Sequence, residues 1–156
     1  MKNQKRTTAM KILLATDGSK HSKAAVEEVA RRLFSPKTEI RIISVIDKVA
    51  LSRNIGSMGV LDEYYAEAKR NVIKVAKDAN EYAANILRKK NPALTITTVV
   101  IEGSPKSEIL QEAEKYGADL IVVGSHGAGA VERFLLGSVS HALALHAKCS
   151  VEIVRK

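Results

Sequence analysis

Short runs rich in β-branched residues alternate with longer stretches of helical periodicity along the chain, and this alternation leaves few folds open. It is the pattern of repeated βαβ units wound around a parallel sheet. The first strand is Lys11-Ile12-Leu13-Leu14-Ala15, after which Ser19 reads as a helix N-cap. Ala25, Val26, Val29, Ala30 and Leu33 then recur at helical spacing until Ser35-Pro36. A second strand spans Glu39 to Ile46. Asp47 to Gly59 holds Asn54, Gly56, Ser57 and Gly59 without periodicity, which predicts a mobile loop or lid. From Leu61, the positions Tyr65, Ala68, Val72, Val75, Ala79, Ala83, Ile86 and Leu87 trace one face of a long helix that stops at Asn91-Pro92.

Leu94 to Ile101 forms the third strand. Ser104-Pro105 supplies an N-cap with proline at the first helical position, and Gly117 suits a left-handed terminus, so Ser104 to Tyr116 is read as a helix. Asp119 to Val123 is a strand, Ser138 to His146 a helix and Ser150 to Val154 the closing strand. The expectation is an α/β fold: one open parallel sheet of five strands with four helices distributed over both faces.

Length supports a single core, since 156 residues contain no Pro/Gly/Ser-rich linker that divides them. Residues 1–9 read as a basic disordered tail and 10–156 as the domain. With 46% apolar and 27% charged residues, composition points neither to disorder nor to a membrane span. The single cysteine, Cys149, excludes an internal disulfide and fits a reducing compartment, so the cytoplasm is expected.

A net charge of +8 raises the question of nucleic acid. Lys2, Lys5, Arg6 and Lys11 come before the first acidic residue, while the other basic residues are interspersed with Glu and Asp. Trp is absent and aromatics reach only 4%, so there is no stacking platform for bases. A small anionic ligand is the better expectation. His21, His141 and His146 have no spacing that builds a metal site with Cys149, and His126 reads as a solvated turn residue.

Open parallel sheets bind ligands at the carboxyl ends of strands where the winding reverses. If the first three units wind to one side and the last two return, the first and fourth strands become neighbours. Their ends, Ala15-Thr16-Asp17-Gly18-Ser19 and Val123-Gly124-Ser125-His126-Gly127, then face one cleft. The second carries the most specific pattern in the chain. Gly124 is followed after two residues by Gly127, and after nine more by Gly137-Ser138 and Val139-Ser140 at a helix start. Glycines let backbone N–H groups approach phosphate oxygens, and a helix amino terminus adds free donors and a favourable dipole. The spacing fits neither a Walker A loop nor a dinucleotide fingerprint after the first strand.

The order of these segments closely resembles the universal stress protein family, in its subgroup with an ATP-binding motif. Four segments carry the resemblance: Ile12 to Ser19, Asp119 to Gly127, Phe134 to Ser140, and His146 to Val154. It implies a Rossmann-like sheet of order 3-2-1-4-5, like that of adenine nucleotide alpha hydrolases, and homodimers paired through the C-terminal strand. It also implies a site for ATP, or for ADP or AMP. Ala15, Thr16 and Asp17 would stand near adenosine and phosphates, and Val45 by the adenine. Val123, Gly124, Gly127, Gly137, Ser138, Val139 and Ser140 would surround ribose and phosphates. Ala128-Gly129-Ala130 stands where the family commonly has a basic residue, and Cys149-Ser150 where it has Cys-Pro.

A carboxylate beside phosphates calls for an intervening cation, so Asp17 is the expected Mg²⁺-side residue, or else an acceptor for ribose or adenine groups. The expected function is a stress-response or signalling module that switches its dimer or partner surface on nucleotide occupancy. A slow Mg²⁺-dependent ATP hydrolase and a nucleotide-free dimeric scaffold are the alternatives.

Overall fold

A computed structural model describes residues 9–56, 62–128 and 136–155. The elements in chain order are β1 (Lys11–Ala15), α1 (Lys20–Ala30), β2 (Glu39–Asp47), α2 (Lys48–Gly56), α3 (Asp62–Lys90), β3 (Thr95–Gly103), α4 (Pro105–Tyr116), β4 (Leu120–Gly124), α5 (Ser138–His146) and β5 (Ser150–Val154). The strands form one sheet of order β3-β2-β1-β4-β5, parallel throughout. The expected fold class is therefore the observed one. The tail expected before residue 9 lies outside the described residues.

The pleat explains why β1 must be central. Ile12 and Leu14 point to one face, where they pack with Ile40, Ile42 and Val122 under Val26 and Val29 of α1 and Ala83, Ala84 and Leu87 of α3. Leu13 and Ala15 point to the other, with Ile43, Ile121 and Val123 against Ile109 and Ala113 of α4 and Leu143 of α5. A strand buried on both faces needs a continuous apolar run, which Ile12-Leu13-Leu14-Ala15 supplies. Among the described residues, no helix is long and apolar enough to cross a membrane.

Three readings are corrected. The expected loop after β2 is largely the helix α2. It is started by Asp47, whose Oδ1 accepts hydrogen bonds from the backbone N–H groups of Val49 (2.9 Å) and Ala50 (3.1 Å). Among residues 48–53, Leu51 is buried and Val49 is exposed. Residues 57–59 of the expected loop lie outside the described set.

Second, α1 ends at Ala30, several residues before Ser35-Pro36, and Leu33 is 98% exposed. Third, only the carboxyl half of α3 is packed down. Its buried residues are Ala79, Asn80, Ala83, Ala84 and Leu87, whereas Tyr65 and Val75 of the expected face are exposed. The helix is 29 residues long, and its amino half is half-buried at most, with Lys69 paired to Glu102 of β3 at 3.1 Å. At α4 the punctuation is as expected: Pro105 starts the helix and Gly117 closes it at φ 69°.

Candidate functional site

The chain leaves β1 for β2 on one side and comes back through α4 to β4 on the other, so the loops after β1 and β4 diverge at the carboxyl end of the sheet. Between them lies a cleft of about 440 Å³. Ala15, Thr16 and Asp17 line it from β1 and its turn, Val45 from β2, and Val123, Gly124 and Gly127 from β4 and its loop. Gly137, Ser138, Val139 and Ser140 line it from the start of α5. Every residue expected at the site thus contributes to the wall of one space, whichever way its side chain points.

Sequence reasoning missed other walls of this space. Ser22 enters from α1, Ile43 and Asp47 from β2, Ala50 from α2, and Pro105 and Ile109 from α4; His126 and Ala128 come from the β4 loop. Asp47 and Ala50 were hidden by reading their segment as a loop. An Asp at a strand end followed by residues without breakers was the available signal of a helix start.

The glycines serve packing as well as access. A Cβ on Gly124 would stand 2.6 Å from the carbonyl oxygen of His21 and 2.9 Å from the nitrogen of Ser22, so β4 passes beneath the first turn of α1 only as glycine. A Cβ on Gly137 would lie 3.1 Å from the Ser125 oxygen and the His126 Cα, where the two loops touch. There the Gly137 N–H donates to the Ser125 carbonyl at 2.7 Å.

Asp17 ties the two loops together. Its Oδ1 accepts from the Ser19 N–H at 3.0 Å, and its Oδ2 from the Ala128 N–H, across the cleft, at 2.7 Å. Burial works against the charged form. Hydrogen bonds from the Ser19 hydroxyl and N–H, the Ala128 N–H and Ser22 outweigh it and hold the carboxyl below its ordinary value of 3.8. A depressed folded-state pKa contributes stability above the unfolded value, and that contribution is lost as pH falls through the folded one. Asp17→Ala is therefore expected to cost about 1 kcal/mol near neutral pH. Thermal midpoints of variant and parent, measured across an acid titration, are expected to converge below about pH 4.

At the other wall, α5 begins with Gly137 as N-cap and no side-chain capping bond. The amide donors of its first turn are left for a ligand or solvent, at the positive end of the helix dipole. The two serines differ. Ser140 is buried, and its hydroxyl lies 2.9 Å from the Ser125 carbonyl and 3.0 Å from that of Gly137, so it closes the loop instead of facing the ligand space. Ser138 is exposed at the first helical position.

Deeper in, the lining is apolar, with Ile43, Val45, Ile109 and Val123. Among the described residues of the lining the carboxylates are Asp17 and Asp47, with no Lys or Arg. His126 sits at the rim, its Nδ1 3.0 Å from the Ser125 hydroxyl and its ring 5.1 Å from that of His21. An apolar slot that ends at a helix amino terminus suits a flat, hydrophobic ring joined to an anionic group.

Fold and cleft together define an open, doubly wound α/β protein with a cleft at its topological switch point, the place where such sheets bind ligands. The universal stress protein family model matches residues 8–155, and the chain belongs to that family. It is 33% identical over 151 residues to the universal stress protein YxiE of Bacillus subtilis, an alignment covering 93% of this chain and 98% of that one. Among solved structures it resembles the protein MJ0577 at a TM-score of 0.79 and 27% identity, over 94% of this chain and 95% of the other. A universal stress protein family protein from Arabidopsis thaliana, solved with AMP bound, shares the fold at a TM-score of 0.67 and 19% identity, covering 94% and 92% of the two chains.

Proposed function

We propose that this chain binds an adenine nucleotide, ATP foremost, in the cleft between the β1 and β4 loops, as the occupancy-sensing module of a stress response. The observation that carries this reading is the juxtaposition of an apolar slot with the uncapped amino end of α5. The purine lies against Val45 and its neighbours, and the phosphates meet the first-turn amides of α5. The AMP-bound relative supports the same ligand class.

Mg²⁺ fits as a companion of the nucleotide. Asp17 would hold it, since its carboxylate stands between the two loops that line the cleft, and magnesium is commonly bound by one or two carboxylates with phosphates. The cation would supply neutralisation of phosphate charge.

The output is a change in the surface offered to a second copy or another protein. β5 is an edge strand with a half-exposed face, suited to pairing with its counterpart in a homodimer. The free Cys149 suits a reducing, cytoplasmic setting.

Two measurements test the binding. Mass spectrometry of small molecules released on denaturation is expected to show adenine nucleotide, and calorimetric titration of emptied protein with ATP and Mg²⁺ is expected to saturate at one site. Ser138→Glu discriminates further. A carboxylate at the first position of α5 favours the helix by its dipole, so the thermal midpoint holds or rises. The same charge repels phosphates, and affinity is expected to fall at least about tenfold. Undiminished affinity in this variant would place the ligand elsewhere.

A further inference from the structure

A buried polar chain runs from the edge of the sheet to the cleft, and nothing in the nucleotide reading requires it. Asn80, on α3, and Ser44, on β2, are each 2% exposed. The Asn80 Nδ2 donates to the Val99 carbonyl on β3 at 2.9 Å, which fixes the amide so that its Oδ1 faces the Ser44 hydroxyl at 2.7 Å. That hydroxyl also lies 2.8 Å from the carbonyl oxygen of Thr16. One hydroxyl proton is shared between two acceptors.

The Thr16 carbonyl belongs to the peptide plane immediately before Asp17. The other polar atom of that plane, the Asp17 N–H, points at the Ser22 hydroxyl at 3.4 Å. The plane is therefore gripped from the α3 side through Ser44 and from the α1 side through Ser22. The β1 turn also passes near α3 at Gly18, φ 78°, where an added Cβ would stand 3.5 Å from that of Ala79. Asp17 in turn reaches Ala128 on the opposite wall. A buried polar group is costly unless paired, so a chain of this kind holds one geometry closely or lets go of it as a unit.

We propose that Asn80 is a positioning residue. Acting through Ser44, it sets the orientation of the Thr16–Asp17 peptide, and with it the width and ligand affinity of the cleft. α3 is thereby mechanically linked to the cleft. The affinity part of this inference rests on the nucleotide reading above; the orientation part does not.

The test uses the full chain with three variants: Ser44→Ala, Asn80→Leu and the pair combined. In nucleotide-free protein, amide resonances of Asp17, Gly18 and Ala128 are expected to shift in both single variants, while Leu87→Ala, a core truncation under α3, lowers the thermal midpoint without moving them. In calorimetric titration with ATP and Mg²⁺, Ser44→Ala is expected to lose about tenfold in affinity. The combined variant is expected to lose little more, because both changes cut one chain. Ser44→Cys, a weaker donor of similar shape, replaces Ser44→Ala should the latter not fold.

Unmoved resonances at Asp17 and Ala128, or additive affinity losses, would overturn the positioning role and leave Asn80 a plain core residue. If the parent protein takes up no nucleotide, the functional reading falls, and the resonance shifts still decide the orientation.

Discussion

Gly124→Val is expected to lower stability by about 3 kcal/mol, a sizeable share of the roughly 5–15 kcal/mol that keeps a domain folded. The atoms it would strike are the backbone of His21 and Ser22, at 2.6–2.9 Å from the new Cβ, and backbone in the first turn of a helix cannot rotate aside. Relief requires lifting α1 off β4, which opens the packing of Val26 and Val29 against Val122. Gly103 is the contrast. The nearest atoms to its added Cβ belong to the side chain of Glu108, which can swing away, so Gly103→Ala is expected to cost far less. Urea unfolding of the two variants separates these cases. An unchanged midpoint for Gly124→Val would mean that β4 and α1 do not approach as closely as described.

This result bears on how the glycine pattern is to be read. By sequence, Gly124, Gly127 and Gly137 look like one phosphate cradle. In the structure Gly124 is set by strand-to-helix packing and Gly137 by contact between two loops. A Cβ on Gly127 would meet the Oδ2 of Asp17 at 3.1 Å, so that position depends on the tie across the cleft. The pattern marks the cleft because the fold brings these segments close there.

The sheet was legible for a simple physical reason. A strand buried on both faces has no polar alternative, so Ile12-Leu13-Leu14-Ala15 and Leu120 to Val123 announce themselves by continuous apolarity. The strand-end rule and the family resemblance then located the cleft. What stayed hidden depends on partners distant in sequence. α2 starts on the Asp47 carboxylate, and among residues 48–53 only Leu51 is buried, which leaves little periodicity to read. The amino half of α3 keeps helical periodicity at Tyr65, Val72 and Val75 even though little packs against it. Asn80 reads as an ordinary polar helix residue, and only the placement of Ser44 and Val99 reveals it as buried and bonded.

At the opposite, amino end of the sheet, Arg41→Leu is expected to cost about 3–5 kcal/mol, because it strands a carboxylate in the protein interior. Glu112 on α4 is 6% exposed, and its Oε1 is paired with the Arg41 guanidinium at 2.6 Å. The guanidinium also lies over the ring of Tyr116, 4.2 Å from its centroid, so it is held by a stacking contact as well as by charge. Removing both partners is a different matter from removing one. Arg41→Leu combined with Glu112→Leu leaves no unpaired charge and is expected to recover most of the loss, since buried ion pairs and well-packed apolar replacements are often of similar stability. Thermal unfolding of the two single variants and the double variant measures this directly. Because Arg41 sits at the end of β2 away from the cleft, ligand affinity well below the midpoint is expected to stay at the parent value in all three. A single variant as stable as the parent would show that the pair is solvated; a double variant no better than the singles would show that α4 is held to the sheet there by the ion pair itself.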